Sequence, residues 1–313
     1  MSGGDTLERA GTLMRRATYA SIAVAGVMIV VKLAAWLATD SVSLLSSLLD
    51  SLLDGAASLV NLVAVRQALV PADREHRFGH GKAEPLASLG QAAFIAGSAV
   101  LLLIEALQHA LRPVPISNTG IGIAVMVVAI IVTVALVLYQ QSVVRRTRSL
   151  AVSADELHYR ADLVLNGSVV VSLVASSILG WVYIDPLFGA AIALWILWGA
   201  WRVANKAIVQ LMDRELPDEE RARIRAIALE HPEVRAVHDL RTRAAGPTAF
   251  IQIHLEMDGG LTLSEAHRIS DTVEAQLLAA FPRAEVMIHQ DPEGIEEPRR
   301  TFPPARPSSK LAS

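Results

Sequence analysis

Apolar residues fall in blocks of about 20 along the first two thirds of the chain, separated by short charged or Gly/Pro-containing connections. As helices, blocks of that length cross the ~30 Å of hydrocarbon in a bilayer. They predict six spans, at about Thr18 to Leu37, Val42 to Arg66, Leu86 to Leu111, Gly120 to Val144, Ser149 to Trp181 and Pro186 to Val209. The fifth is the least apparent, because uninterrupted hydropathy begins only near Leu163. From Leu150 onward, however, Ala, Val, Leu and Tyr alternate with Ser153, Asp155, Glu156, His158, Arg160 and Asp162. That pattern reads as a helix whose one polar face lines protein or water and not lipid. Met1 to Ala17 reads as a polar tail, and the first span as an uncleaved anchor, since its apolar run exceeds the about 7–15 residues of a signal segment. Lys32 lies toward the end of that span, where its stem can snorkel to the interface.

From Asp213 the periodicity changes to that of a soluble domain. DRELPDEERARIRAIALEH has a helical period, VRAVHDLRTRAA and TAFIQIHLEMD alternate like strands around a Gly246-Pro247 turn, LTLSEAHRISDTVEAQLLAAFP is helical again, and AEVMIHQD closes as a third strand. This order predicts a small α+β sandwich with its helices on one face of the sheet. After Pro292 the chain is rich in Glu, Pro and Ser and is expected to be disordered. The predicted architecture is thus a membrane all-α six-helix transmembrane domain (residues 18–212) and a small cytoplasmic α+β domain (213–292). Tails at 1–17 and 293–313 flank them.

Composition sharpens this picture. Of 313 residues, 52% are hydrophobic and 19% charged, with a mean hydropathy of +0.41, too apolar for an ordinary soluble chain. The absence of cysteine excludes disulfides and thiolate metal sites, so a metal here must be held by imidazole and carboxylate. A net charge of -3 and a pI near 6.3 carry no nucleic-acid footprint. Lys and Arg gather in the N-terminal tail, in the connection with Arg74, Arg77 and Lys82, in Arg145 to Arg148, and after Arg202. By the positive-inside rule both termini are cytoplasmic, in agreement with six spans.

The chemistry begins in the second span, where Asp50 and Asp54 stack one helical turn apart on one face. A charged Asp at a span centre costs about 2.5–3.5 kcal/mol, and two this close repel unless a cation or a proton sits between them. A Lys or Arg on a neighbouring helix is the bland answer. HYRAD repeats the spacing with His158 and Asp162, so two helices together offer the four N/O ligands of a tetrahedral Zn²⁺ site. Alone, His-x₃-Asp near a helix end is as well read as a solvated or capping pair. The HExxH string of metallopeptidases is absent, as is any nucleophile and base pair, which argues against an enzyme. In the soluble segment His254 lies in an alternating strand, and His289 and Asp291 share one face of another.

LLDSLLDGAASLVNLVAVR, PADREHRFGHGKAE, LHYRADLVLNG, LPDEERARI, VHDLRTRAAGPT, FIQIHLEM and IHQDP together make the chain resemble a cation diffusion facilitator. It is similar in particular to the bacterial ferrous-iron and zinc efflux members, from about Arg15 to Pro292. The resemblance implies a homodimer in the cell (inner) membrane, with a metallochaperone-like cytoplasmic domain and export of Zn²⁺, and also Fe²⁺ and Cd²⁺, against protons. It assigns Asp50, Asp54, His158 and Asp162 to the transport site, and Asp73, His76 and His80 to a peripheral loop site. Lys82 and Asp213 correspond to a charge interlock between the domains. His238, His254, His267, His289 and Asp291 correspond to a cytoplasmic binuclear zinc site at the dimer contact. Arg160 is more basic than the family pattern. Zinc is expected as both cargo and structural ion, with no organic cofactor and no nucleic-acid partner. The alternative is a membrane-anchored metal sensor that dimerises through its cytoplasmic domain on binding zinc.

Overall fold

The computed structural model describes residues 3–39, 42–111, 120–179 and 184–294. The tail expected to be disordered falls outside them from residue 295, as does the connection containing Arg112, Pro113 and Pro115. The element order is α1 (Gly3–Thr39), α2 (Val42–Ala68), α3 (Ala83–Leu111), α4 (Gly120–Thr147), α5 (Leu150–Leu179), α6 (Ile184–Leu211), α7 (Asp218–Leu229), β1 (Ala236–Ala245), β2 (Thr248–Met257), α8 (Leu263–Ala280) and β3 (Ala284–Pro292). Two compact units result, Ala10–Ile208 and Met1–Arg9 with Val209–Ser313.

In the first unit, five helices are long and apolar enough to cross a membrane among the described residues: Glu8–Ala38, Ser47–Ala68, Ala83–Leu111, Met126–Thr147 and Pro186–Leu211. The sixth helix, α5, carries Asp155, Glu156, His158, Arg160 and Asp162 in its first half and only apolar or small uncharged residues and Asn166 after Asp162. Helix α1 begins at Gly3, well inside the segment expected to be a polar tail. Its apolar positions explain the extension, since Leu13, Met14 and Ala17 continue the helical period backward and pack against Val65, Val143, Ala151 and Val152.

The polar residues of α5 do not form the single face predicted for them. At ~100° per residue, Asp155, His158 and Asp162 fall within ~60° of one another, whereas Glu156 and Arg160 lie ~100–140° further round. Accordingly Asp155 and His158 are buried, while Glu156 accepts from Gln141 at 3.1 Å and the Arg160 guanidinium lies 5.3 Å from the Trp195 ring centre. On the side facing α3 and α6, Ala154, Leu157 and Ala161 pack with Ala92, Ile95, Ala99, Ile192, Ile196 and Ala200. Small residues let these helices approach closely. At Gly199 a Cβ would lie 2.9 Å from the Leu157 side chain, so the α5–α6 approach uses the missing methyl.

The second unit follows the predicted helix, strand, strand, helix, strand order. The sheet order is β1-β2-β3; β1 and β2 pair antiparallel across a turn with Gly246 at φ 57, and β2 and β3 pair parallel, joined through α8. One face of β2, made of Ile251, Ile253, Leu255 and Met257, packs on Ile224 and Ala228 of α7 and on Ile269, Val273 and Leu277 of α8. A capping box between Thr262 and Glu265 starts α8. The opposite face of the sheet is left for polar residues.

Candidate functional site

Helices α2 and α5 meet at three of the four residues expected to hold cargo. His158 Nε2 lies 2.9 Å from Asp54 Oδ1 and 3.8 Å from Asp162 Oδ2, and one donor atom from each residue falls within 4.8 Å of the others. Two ligands on one tetrahedral zinc at ~2.0–2.2 Å are separated by ~3.3–3.6 Å, so the donor set fits a divalent ion. Asp50, one turn away on α2, is exposed and stands outside this three-residue group, although it borders the same cavities.

Those cavities lie on two sides of the group. One, of about 220 Å³, is bounded by Asp50, Asp54, His158 and Asp162 together with Phe94, Ser98 and Leu102 of α3 and Ile196 of α6. The other, of about 180 Å³, is bounded by Asp50, Asp54 and Asp162 with Lys32 of α1, Thr133 of α4 and Asn166 of α5. An ion held by α2 and α5 is thereby approachable past different helices. Lys32, whose stem was expected to reach toward the interface, donates from Nζ to the Ser47 carbonyl at 3.0 Å and to the Ser51 hydroxyl at 2.6 Å.

Beside the group is a buried polar junction that sequence reasoning missed. Asp155 Oδ2 accepts from Ser21 Oγ at 2.5 Å and Gln140 Nε2 at 2.7 Å, and its Oδ1 accepts from Gln91 Nε2 at 3.3 Å. Tyr159 adds a second tie, with its hydroxyl 3.0 Å from Ser58 Oγ and donating to the Ser21 carbonyl at 3.2 Å. Helices α1, α2, α3 and α4 are thus each hydrogen-bonded to the helix that carries His158. The available signal was Ser21, Gln91 and Gln140 inside apolar spans, where polar side chains need partners.

The loop between α2 and α3 brings together all three residues expected there. Asp73 Oδ1 lies 3.3 Å from His76 Nδ1, Asp73 Oδ2 lies 3.5 Å from His80 Nε2, and the imidazole centres are 4.4 Å apart. Backbone N–H groups of His76 and Glu75 donate to Asp73 and hold its carboxyl below the ordinary carboxylate range. His80 Nδ1 is buried and finds no hydrogen-bond partner among the described residues.

In the second unit the sheet register aligns His238 with His254 and His254 with His289, a row of three imidazoles across three strands. Asp291 stands two residues beyond His289 on the same face, with His238 Nε2 and His254 Nδ1 each 2.9 Å away and His289 Nε2 at 3.1 Å. His238, His254 and Asp291 form a compact donor group that also fits a divalent ion. Two further acids went unread in the sequence. Glu256 Oε1 lies 3.0 Å from His238 Nδ1, and Asp239 lies 3.8 Å from His254. A bidentate hydrogen bond from Arg241 holds the Asp239 carboxyl low. Glu256 was legible as the second residue beyond His254, hence on its face of the strand. Within one protomer His267 lies on α8, which packs on the other face of the sheet, and its exposed ring pairs with Asp271 at 3.6 Å. Lys82 precedes α3 in the first unit, and Asp213 follows α6 in the second, where it accepts from Arg243 at 3.4 Å.

Residues 18–212 match the family described as cation efflux transmembrane domain, and residues 216–293 match that described as cation efflux protein, cytoplasmic domain. The chain is 50% identical over 285 residues to the cation-efflux pump FieF of Klebsiella pneumoniae, covering 91% of this chain and 95% of that protein. To the pump of the same name from Shewanella oneidensis it is 50% identical over 283 residues, covering 90% and 95%. It is also similar to the metal-bound C-terminal domain of the CzcD transporter from Thermotoga maritima, at 28% identity, 26% coverage of this chain, 100% of that one and a TM-score of 0.25.

Proposed function

This chain belongs to the cation efflux family, and from that premise we propose that it is a homodimeric metal/proton antiporter exporting Zn²⁺, and also Fe²⁺ and Cd²⁺, from the cytoplasm. The family consists of transporters rather than enzymes, and membership makes the chain a multi-pass membrane protein for divalent cation efflux. The observation carrying the finer reading is the meeting of Asp54, His158 and Asp162 between α2 and α5, with a cavity on each side. Asp50 completes the ligand set when it turns into the cavities it already borders.

Coupling follows from charge. Three carboxylates and a neutral imidazole carry three negative charges, which a low-dielectric site does not hold empty without a counter-charge. Protons supply it in part, shared among the four groups as coupled titrations. Divalent metal requires deprotonated ligands and so expels them. If each conformation opens to one side only, metal and protons exchange across the membrane, and an inward proton gradient drives zinc out. An all-N/O set with one imidazole suits Zn²⁺ and accommodates Fe²⁺ and Cd²⁺.

The basic residues of the Arg74–Lys82 connection and of the Arg145–Arg148 cluster support an orientation with both termini cytoplasmic, in the cell (inner) membrane. The loop group Asp73, His76 and His80 would hold an ion at the membrane domain's periphery. His238, His254, His289 and Asp291 would hold zinc in the cytoplasmic domain, where the metal would supply a structural cross-link in the dimer. His267 joins that set only if a second copy brings it there. Zinc flux into sealed vesicles containing only this protein tests the reading: a transporter accumulates the ion beyond protein-free vesicles, whereas a sensor binds it and moves none.

A further inference from the structure

Lys32 enters none of the three metal groups, yet its charge lies beside the one in the membrane. Half-buried on α1, its ammonium is fixed on α2 by the Ser47 carbonyl at 3.0 Å and the Ser51 hydroxyl at 2.6 Å. It borders the cavity of about 180 Å³ that Asp50, Asp54 and Asp162 share. Two hydrogen bonds to α2 orient the ammonium without placing it among the ligands.

We propose that Lys32 is a specificity-determining residue of the transport site, a fixed positive charge that matches the site to a divalent cargo and weakens its hold enough for release. The inference rests on the reading of Asp50, Asp54, His158 and Asp162 as the transport site. Three carboxylates, one ammonium and one divalent ion sum to no net charge, whereas the same occupied site without Lys32 is negative. A neutral occupied site is the one a low-dielectric membrane domain tolerates best. The cost is affinity, because the ammonium repels the ion it helps to neutralise. At an effective dielectric constant of ~20, a unit charge held within ~10 Å of a divalent ion changes its affinity by at least about tenfold. The site then binds loosely enough to let its cargo go.

The purely structural account of Lys32, as a tie between α1 and α2, predicts something different. Lys32→Gln keeps hydrogen-bond donors for Ser47 and Ser51 but removes the charge, and Lys32→Arg keeps the charge. With the full-length protein in zinc-transporting vesicles, Lys32→Gln is expected to lower KM at least about tenfold and to lower the maximal rate as release slows. Lys32→Arg should restore both to within about threefold of wild type. Equilibrium binding of zinc to the same proteins, with His76, His80, His238 and His254 replaced by Ala, should show the same tightening in Lys32→Gln. Lys32→Met supplies a second uncharged side chain if the Gln variant fails to insert. Unchanged or raised KM together with unchanged or weaker binding in the uncharged variants would overturn the assignment of Lys32. A wild-type protein that moves no zinc would instead overturn the transporter reading, and the binding comparison would still decide the charge effect.

Discussion

His158 Nε2 and Asp54 Oδ1 lie 2.9 Å apart, although 104 residues separate them in the chain. That contact is where two helices, each uncomfortable in lipid by itself, satisfy one another. Asp54→Ala removes one donor of the group and also one membrane charge worth about 2.5–3.5 kcal/mol of insertion cost. Zinc flux should fall to the level of protein-free vesicles while the size-exclusion profile stays that of wild type. Near-normal flux would sink the assignment.

Imidazole favours zinc and carboxylate favours harder ions. Replacing His158 with Asp should therefore shift relative transport rates from Zn²⁺ toward Mn²⁺ by at least about tenfold. Competition between the two ions in vesicles measures it, and an unchanged ratio would mean that His158 does not touch the cargo.

Asp155 is fully buried and accepts hydrogen bonds from Ser21, Gln140 and Gln91. Asp155→Ala takes an acceptor from the Gln91 and Gln140 amides, at about 1–3 kcal/mol each when they find no water, whereas Ser21 Oγ keeps the Ala17 carbonyl at 3.1 Å. The expected result is a loss of several kcal/mol, read as a lower midpoint of thermal unfolding in detergent. Asp155→Asn, which retains an acceptor, should lose less. Equal melting of both variants and wild type would show that the junction adds nothing to stability.

Across the sheet of the second unit, His238, His254 and His289 converge on Asp291. Replacing His238 and His289 with Ala should weaken zinc-dependent association of the segment Asp213 to Pro292, which has its own hydrophobic core. Sedimentation with and without zinc checks this. A wild-type segment equally dimeric in both conditions would refute a metal-dependent contact.

The Asp73 carboxyl is held below its ordinary value of 3.8, first by the His76 backbone N–H. A depressed value in the folded loop means that the carboxylate stabilises the turn at pH above the ordinary value. The effect is lost as pH falls through the lower folded value. Protection of the Glu75 and His76 amides, corrected for intrinsic exchange, should be constant from neutral pH down to about 5 and decline only below about 4. A decline near pH 6 would place the controlling group elsewhere.

Periodicity was sufficient for the helices, and for α5 it found the start near Leu150 that hydropathy would set near Leu163, because polar residues in a span mark a protein-facing side rather than a break. It did not show that the helix of the first span extends back through the tail to Gly3, where Leu13, Met14 and Ala17 pack on α2, α4 and α5 among charged neighbours. Fixed spacings placed Asp54, His158 and Asp162 on compatible faces, but only tertiary packing could say that Asp50 stands aside. Lys32 read as an interfacial lysine because snorkelling and hydrogen bonding to a neighbouring helix use the same flexible stem. The histidine row was legible as strand positions, while its convergence on Asp291 required the register of β1 on β2 and β2 on β3.

The central claim is that metal moves through the α2–α5 site in exchange for protons. It is tested most directly by imposing a pH difference across zinc-loaded vesicles containing the protein and recording zinc and internal pH together. The account predicts zinc movement driven by the gradient, with an opposing proton flux that disappears in Asp54→Ala. Zinc movement that ignores the imposed gradient and leaves pH unshifted would contradict it.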